Sequence, residues 1–170
     1  RVAGRAPELD DTPALERIGA YIARLHAVGT RRAFAHRLVL DATTFGRTNV
    51  DWLVRSGMVS DDSLGAWRRA ADSALARVEA AFAAVGAATL RLHGDCHAGN
   101  VLWTDAGPHF VDFDDSRMGP AVQDLWMLLS GERADMTRQI GDLLAGYERF
   151  FDFDPRELHL VEALRTLRLI

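Results

Sequence analysis

The stretch Leu90–Asp115, LRLHGDCHAGNVLWTDAGPHFVDFDD, limits what this chain can fold into more than any other. Val101-Leu102-Trp103 and His109-Phe110-Val111 read as two short apolar strands, with the turn signal Asp105-Ala106-Gly107 between them. A hairpin of that size returns Asn100 and Asp112 to the same end of the pair. Asp112 falls inside the strand-like run His109–Phe113. Upstream, Ala88–His93 reads as a short buried strand that leads into His93-Gly94-Asp95.

The residue types at that end of the hairpin suit a hard cation. Asp112 offers a carboxylate and Asn100 an amide oxygen. Magnesium takes oxygen ligands, usually one or two carboxylates with phosphate oxygens and water. Asp114 and Asp115 add further acids. On a strand, Asp112 and Asp114 share one face and Asp115 lies on the other. Burying several acids without a cation is costly, so the segment reads as a divalent-ion site. Asp95 stands five positions before Asn100, and Asp112 twelve after it. Phosphoryl transfer needs such a set: a carboxylate near the acceptor hydroxyl and divalent metal across the phosphates.

HGDCHAGN followed by VDFDD resembles the phosphotransferase branch of the protein-kinase-like fold. That branch holds the aminoglycoside phosphotransferases and choline kinases, which share HGDxHxxN and then an Asp after an apolar strand. The fuller run LRLHGDCHAGNVLW, FVDFDD and GPAVQDLWMLL is similar to a narrower group, the bacterial stress response kinase A (RdoA) family. Members of that group phosphorylate Ser and Thr in proteins. The resemblance implies an α+β, mostly helical fold: a protein-kinase-like C-terminal lobe with a short β-hairpin at the catalytic loop. It implies an ATP- and Mg2+-dependent kinase with a protein Ser or Thr acceptor. By the same resemblance Asp95 is the catalytic base, and Asn100 and Asp112 hold magnesium. His93, His97 and Asp124 support them, with Asp124 where kinases keep a helix Asp that braces the catalytic loop. Two positions depart from protein kinases. Gly94 replaces the Arg of His-Arg-Asp, which removes a phosphorylated-loop switch acting through that Arg. Asp114 replaces the Gly of Asp-Phe-Gly, so the flip of that segment does not carry over.

At 170 residues the chain is long enough for one domain with its own core. A net charge of −4 gives no support to nucleic-acid or membrane-surface binding. The single Cys96 excludes an internal disulfide framework and fits a reducing compartment, hence a cytoplasmic location. No apolar run approaches the roughly 18 residues of a membrane span, and Arg1–Arg5 has no apolar signal core. Every basic residue is Arg, and nothing resembles a glycine-rich phosphate loop or the strand Lys of a kinase N-lobe. The chain opens without Met and closes on the amphipathic run Leu164–Ile170 with no stop signal. Residues 1–170 therefore read as a partial phosphotransferase domain, hinge and most of the C-lobe, with the ATP-covering lobe upstream. Alone, it is expected to transfer little phosphate.

Residues 1–11 read as polar hinge and linker. Thr12 and Pro13 begin a helix, with Thr12 as N-cap, Leu15, Ile18, Ile22 and Leu25 inward, and Gly29 at its close. His26 reads as a core or capping residue. Arg31–Gly46 reads as a basic loop and Thr48–Ser56 as a short helix. Ser60-Asp61-Asp62 caps a long helix with Leu64, Trp67, Ala71, Leu75, Val78 and Phe82 as its buried stripe, and Gly86 ends it. Ser116–Pro120 reads as a loop. A helix then runs from Pro120 to about Ser130, with Val122, Leu125, Trp126 and Leu129 inward. Another spans Ala134–Phe151, its end an aromatic patch of Phe150, Phe151 and Phe153 against the core, and Asp154-Pro155 starts the last.

Other chemistries fit less well. His93, Asp95, Cys96 and His97 crowd potential zinc ligands together, but no second ligand pair follows at zinc-site spacing. Cys96 with His97 as base lacks any oxyanion element. His97 more simply orders the catalytic loop, by a bond to Asp112 or a backbone carbonyl. Glu132, Asp135, Asp142 and Glu148 read as a solvated helix face rather than an acidic cage for an aminoglycoside. A small-molecule kinase and a non-catalytic, kinase-like binding module stand as alternatives to a protein kinase.

Overall fold

Asp11, one residue before the expected Thr12, caps the first helix: its carboxylate accepts the Ala14 amide 3.1 Å away. The computed structural model describes residues 4–170, so Arg1-Val2-Ala3 of the expected hinge lie outside the described residues. Arg5 is not irregular; it forms an antiparallel bridge with Trp103. Helix α1 runs Thr12–Gly29, α2 Thr48–Ser56 and α3 Asp61–Val85. Strands β1 (Leu90–Leu92), β2 (Val101–Thr104), β3 (Gly107–Phe110) and β4 (Arg117–Gly119) follow. Then come α4 (Val122–Trp126), α5 (Arg133–Tyr147) and α6 (Val161–Leu169), the last entered through a 3-10 turn at Pro155–Leu160.

Apolar spacing in α1 buries Leu15, Ile18 and Ile22 against Leu143 and Tyr147 of α5, but Leu25 is 37% exposed at the edge of that stripe. Two glycines let these helices touch backbone to backbone. A Cβ on Gly19 would lie 2.0 Å from the Leu143 carbonyl oxygen, and one on Gly146 1.8 Å from that of Glu16. Leu75 and Val78 of α3 pack into the same core as Leu160 and Leu164. Leu64, Trp67 and Phe82 are only half-buried, so the buried stripe of α3 is narrower than its sequence suggests. Gly86, at φ +58, ends α3 in the left-handed region.

Strands β2 and β3 pair antiparallel from Val101 opposite Phe110 to Thr104 opposite Gly107, the hairpin expected from sequence. A second pair was not legible. Arg117–Gly119, expected as loop, pairs antiparallel with β1, and Leu40 and Leu38 extend it through bonds to Met118. The basic segment Arg31–Gly46 thus places a single parallel bridge, Val39 with Met118, beside β4, and a π-helical turn at Thr43–Arg47 leads into α2. Helix α4 stops at Trp126 rather than Ser130, because Leu128 and Leu129 bond back three residues instead of four. Phe151 and Phe153 pack on the core, whereas Phe150 is 53% exposed. No helix among the described residues is long and apolar enough to cross a membrane.

Candidate active site

β1 delivers the chain to His93, and a turn at Gly94 sets the direction of everything after it. Gly94 has φ +88, and a Cβ there would lie 2.2 Å from the Asp115 carbonyl oxygen. An Arg at this position, as in protein kinases, would not fit. The turn aims the amides of His93 and Gly94 at one carboxylate. They donate to Asp124 Oδ2 and Oδ1 at 2.8 and 2.9 Å. Asp124, on α4, is buried, and its Oδ2 also lies 3.0 Å from His26 Nε2. His26 Nδ1 is 2.8 Å from the Tyr147 hydroxyl. Burial, with the charges of Glu157 and Asp124, pushes the Tyr147 phenol well up, so it stays a donor. Gln123 adds a bond from Nε2 to the Gly94 carbonyl oxygen at 3.1 Å.

His93 ties this loop to the exit of β3. Its Nε2–H donates to the Val111 carbonyl oxygen at 2.8 Å, and the Asp95 amide reaches Nδ1 at 3.4 Å. Phe113 covers the ring, with centroids 4.6 Å apart.

The two oxygens of Asp95 face different neighbours. Oδ1 accepts from Arg168 Nη1 at 2.8 Å. Oδ2 lies 3.4 Å from both His97 Nε2 and Asn100 Nδ2. Partial burial pushes the Asp95 carboxyl up. The Arg168 hydrogen bond and charge, helped by His97 and His93, outweigh it and hold Asp95 below its usual range. The carboxylate is thus ionised at neutral pH. Asn100 Nδ2 also donates to the Asp95 carbonyl oxygen at 2.9 Å, which commits the amide nitrogen and leaves Oδ1 for a cation. His97 caps the 3-10 turn Ala98–Asn100, its Nδ1 accepting the Gly99 amide at 3.0 Å. Its partners are Gly99 and Asp95, not the Asp112 or carbonyl expected from sequence.

The hairpin brings Asn100 and Asp112 to one end, and the Val111 amide bonds to the Asn100 carbonyl oxygen at 3.0 Å. Asp112 itself lies outside the strand. β3 ends at Phe110, and Asp112 turns away at φ +62. Asp112, Asp114 and Asp115 therefore do not alternate on strand faces, and all three are exposed. The cost of burying acids does not apply to them. Asp115 pairs with Arg117 at 2.8 Å, and Arg37 donates to the Asp114 carbonyl oxygen. The Asp112 carboxylate makes no hydrogen bond or ion pair among the described residues. Asn100 Oδ1 and the Asp112 carboxylate both offer oxygen donors, the donor type a hard divalent cation takes.

Cys96 is 1% exposed, and burial with the charges of Asp124 and Asp95 drives its thiol well up, away from nucleophilic use. Sequence reasoning missed the roles of Arg168 and Gln123; His26 is the core residue expected, and its bond to Asp124 is what the sequence did not show. Arg168 is 73 positions from Asp95, and no local pattern joins them. For Gln123, its place beside Asp124 was the one available signal.

Residues 1–161 match the model of the phosphotransferase enzyme family. The chain is 40% identical over 169 residues to Stress response kinase A of Escherichia coli (strain K12), covering 99% of this chain and 51% of that protein. Identity and coverage are the same for Serine/threonine protein kinase RdoA of Salmonella typhimurium (strain LT2). The chain thus spans about half the length of the curated relatives it matches. Among solved structures, an amicoumacin kinase in complex with AMP-PNP and Ca2+ superposes with a TM-score of 0.71 at 18% identity, over 99% of this chain and 53% of that one. That likeness carries the fold, a protein-kinase-like one, as the sequence motif implied.

Proposed function

The chain belongs to the phosphotransferase enzyme family, and we propose that it supplies the catalytic half of an ATP- and Mg2+-dependent kinase acting on Ser or Thr of proteins. The observation that carries this reading is the Asp95 carboxylate, held ionised by Arg168 and set beside Asn100 at the open end of the β2–β3 hairpin. Asp95 orients the acceptor hydroxyl and takes its proton. Asn100 Oδ1 and Asp112 would hold magnesium, which supplies charge neutralisation at the nucleotide phosphates. Asp124 and His93 keep the loop rigid, and His97 fixes the orientation of the Asp95–Asn100 turn. The ATP-covering lobe and most nucleotide contacts belong to the part of the protein outside these residues. The buried thiol of Cys96 suits a reducing, cytoplasmic setting.

Similarity to Serine/threonine protein kinase RdoA supports the protein acceptor. The amicoumacin kinase likeness favours a second reading, a small-molecule acceptor. Full-length protein incubated with γ-labelled ATP and Mg2+ separates them. The first reading predicts label on Ser or Thr of a generic protein substrate. Label confined to an aminoglycoside or choline panel would favour the second.

A further inference from the structure

Arg168 projects from the last turn of α6 onto the one side of Asp95 that neither His97 nor Asn100 occupies. Its guanidinium is half-exposed. Only Nη1 is engaged, on Asp95 Oδ1 at 2.8 Å with a long contact to Met127 Sδ at 3.9 Å. Nε and Nη2 donate to nothing among the described residues. A cavity of about 80 Å3 opens beside this pair, lined by Leu40, Phe45, Leu164 and Leu167 with Arg117. Arg117 differs from Arg168 in being committed: its Nε and Nη2 both bond Asp115, and its guanidinium lies over Phe45 at 4.5 Å.

This placement bears on the transfer step proposed above and rests on that reading. The acceptor oxygen forms a bond to the γ-phosphorus as the bond from phosphorus to the β,γ-bridging oxygen breaks. The acceptor proton passes to Asp95, and ADP leaves with the bonding pair. The new phosphate ester grows next to a carboxylate, so negative charge gathers beside Asp95. A guanidinium already 2.8 Å from Oδ1, with two donors unused, is positioned to meet that charge. We propose that Arg168 is a further catalytic residue, engaging the phosphoryl group as it reaches the acceptor hydroxyl.

The test uses the full-length protein, with Arg168→Met and Arg168→Lys. Label transfer from ATP is measured, and ADP affinity is measured with and without aluminium fluoride, a mimic of the phosphoryl group in flight. Arg168→Met should lower kcat by about 10²-fold, as removal of one charge-stabilising donor does elsewhere. It should leave the affinity for ADP alone unchanged and abolish the tighter binding that fluoride confers. Arg168→Lys should restore part of both. A variant with the wild-type fluoride increment would overturn the proposal even if kcat fell, because the arginine would then only brace Asp95. If the wild-type protein itself gained no ADP affinity with fluoride and transferred no phosphate, the kinase reading would fail and this proposal with it.

Discussion

His26 and Asp124, 98 positions apart, meet 3.0 Å from one another in the buried centre of the molecule, and the same carboxylate holds the two amides that precede Asp95. One acid therefore connects α1 and α4 to the loop that carries Asp95. Replacing it exposes how much the loop depends on the core.

Asp124→Ala should destabilise the chain by about 3–5 kcal/mol, because it leaves buried N–H donors without an acceptor. Asp124→Asn should cost nearly as much, since one side of the new amide presents a second donor to a backbone N–H. Urea melts of both variants measure this. A loss below roughly 1 kcal/mol, the scale of an ordinary exposed contact, would mean that the loop is held by other means.

Asp112 occupies the left-handed region at φ +62, where glycine is at ease and other residues are strained. Asp112→Gly should therefore keep or raise the melting temperature while abolishing transfer by the full-length protein. A variant that melts early would show the side chain to be structural. One that still transfers would remove Asp112 from the proposed metal site.

Glu157 gives a pH dependence with a defined sign. Burial raises its carboxyl from 4.5 to about 7, against the pull of the Val122 amide it accepts from at 2.9 Å. Between those two values the folded chain keeps a proton that the unfolded chain has released. Stability is therefore highest below the unfolded value, falls as pH rises through this window and stays low above it. Glu157→Gln should flatten the slope and be the more stable form at mildly alkaline pH. Parallel melts across the window decide it, and an unchanged slope would assign the dependence to another group.

The hairpin and its turn were legible because turn chemistry and alternation act over a few residues. The boundaries of α2 were legible for the same reason. Asp112 was misplaced onto the strand because nothing in Phe110–Phe113 announces where pairing stops; pairing ends at Phe110, and the left-handed backbone of Asp112 turns the chain away. β4 was missed because three residues carry almost no period, and its pairing with β1 spans a long stretch of chain. Arg168 was invisible for a related reason: its meaning comes from α6 folding back over the loop. The core stripe of α1 was predicted, yet Leu25 shows that spacing alone does not fix the width of a buried face.

Residues 1–170 by themselves should turn over little ATP, since the chain has neither Lys nor a glycine-rich phosphate loop. Robust transfer by this chain alone would show that the nucleotide site is complete without any further lobe.

Asp95 is proposed as the base of a phosphoryl transfer. Its most direct test is Asp95→Asn in the full-length protein, with label transfer from γ-labelled ATP and nucleotide affinity measured side by side. If Asp95 is the base, transfer disappears while ATP affinity stays close to wild type. Transfer and nucleotide binding lost together would contradict it, and would make Asp95 a structural acid rather than the base.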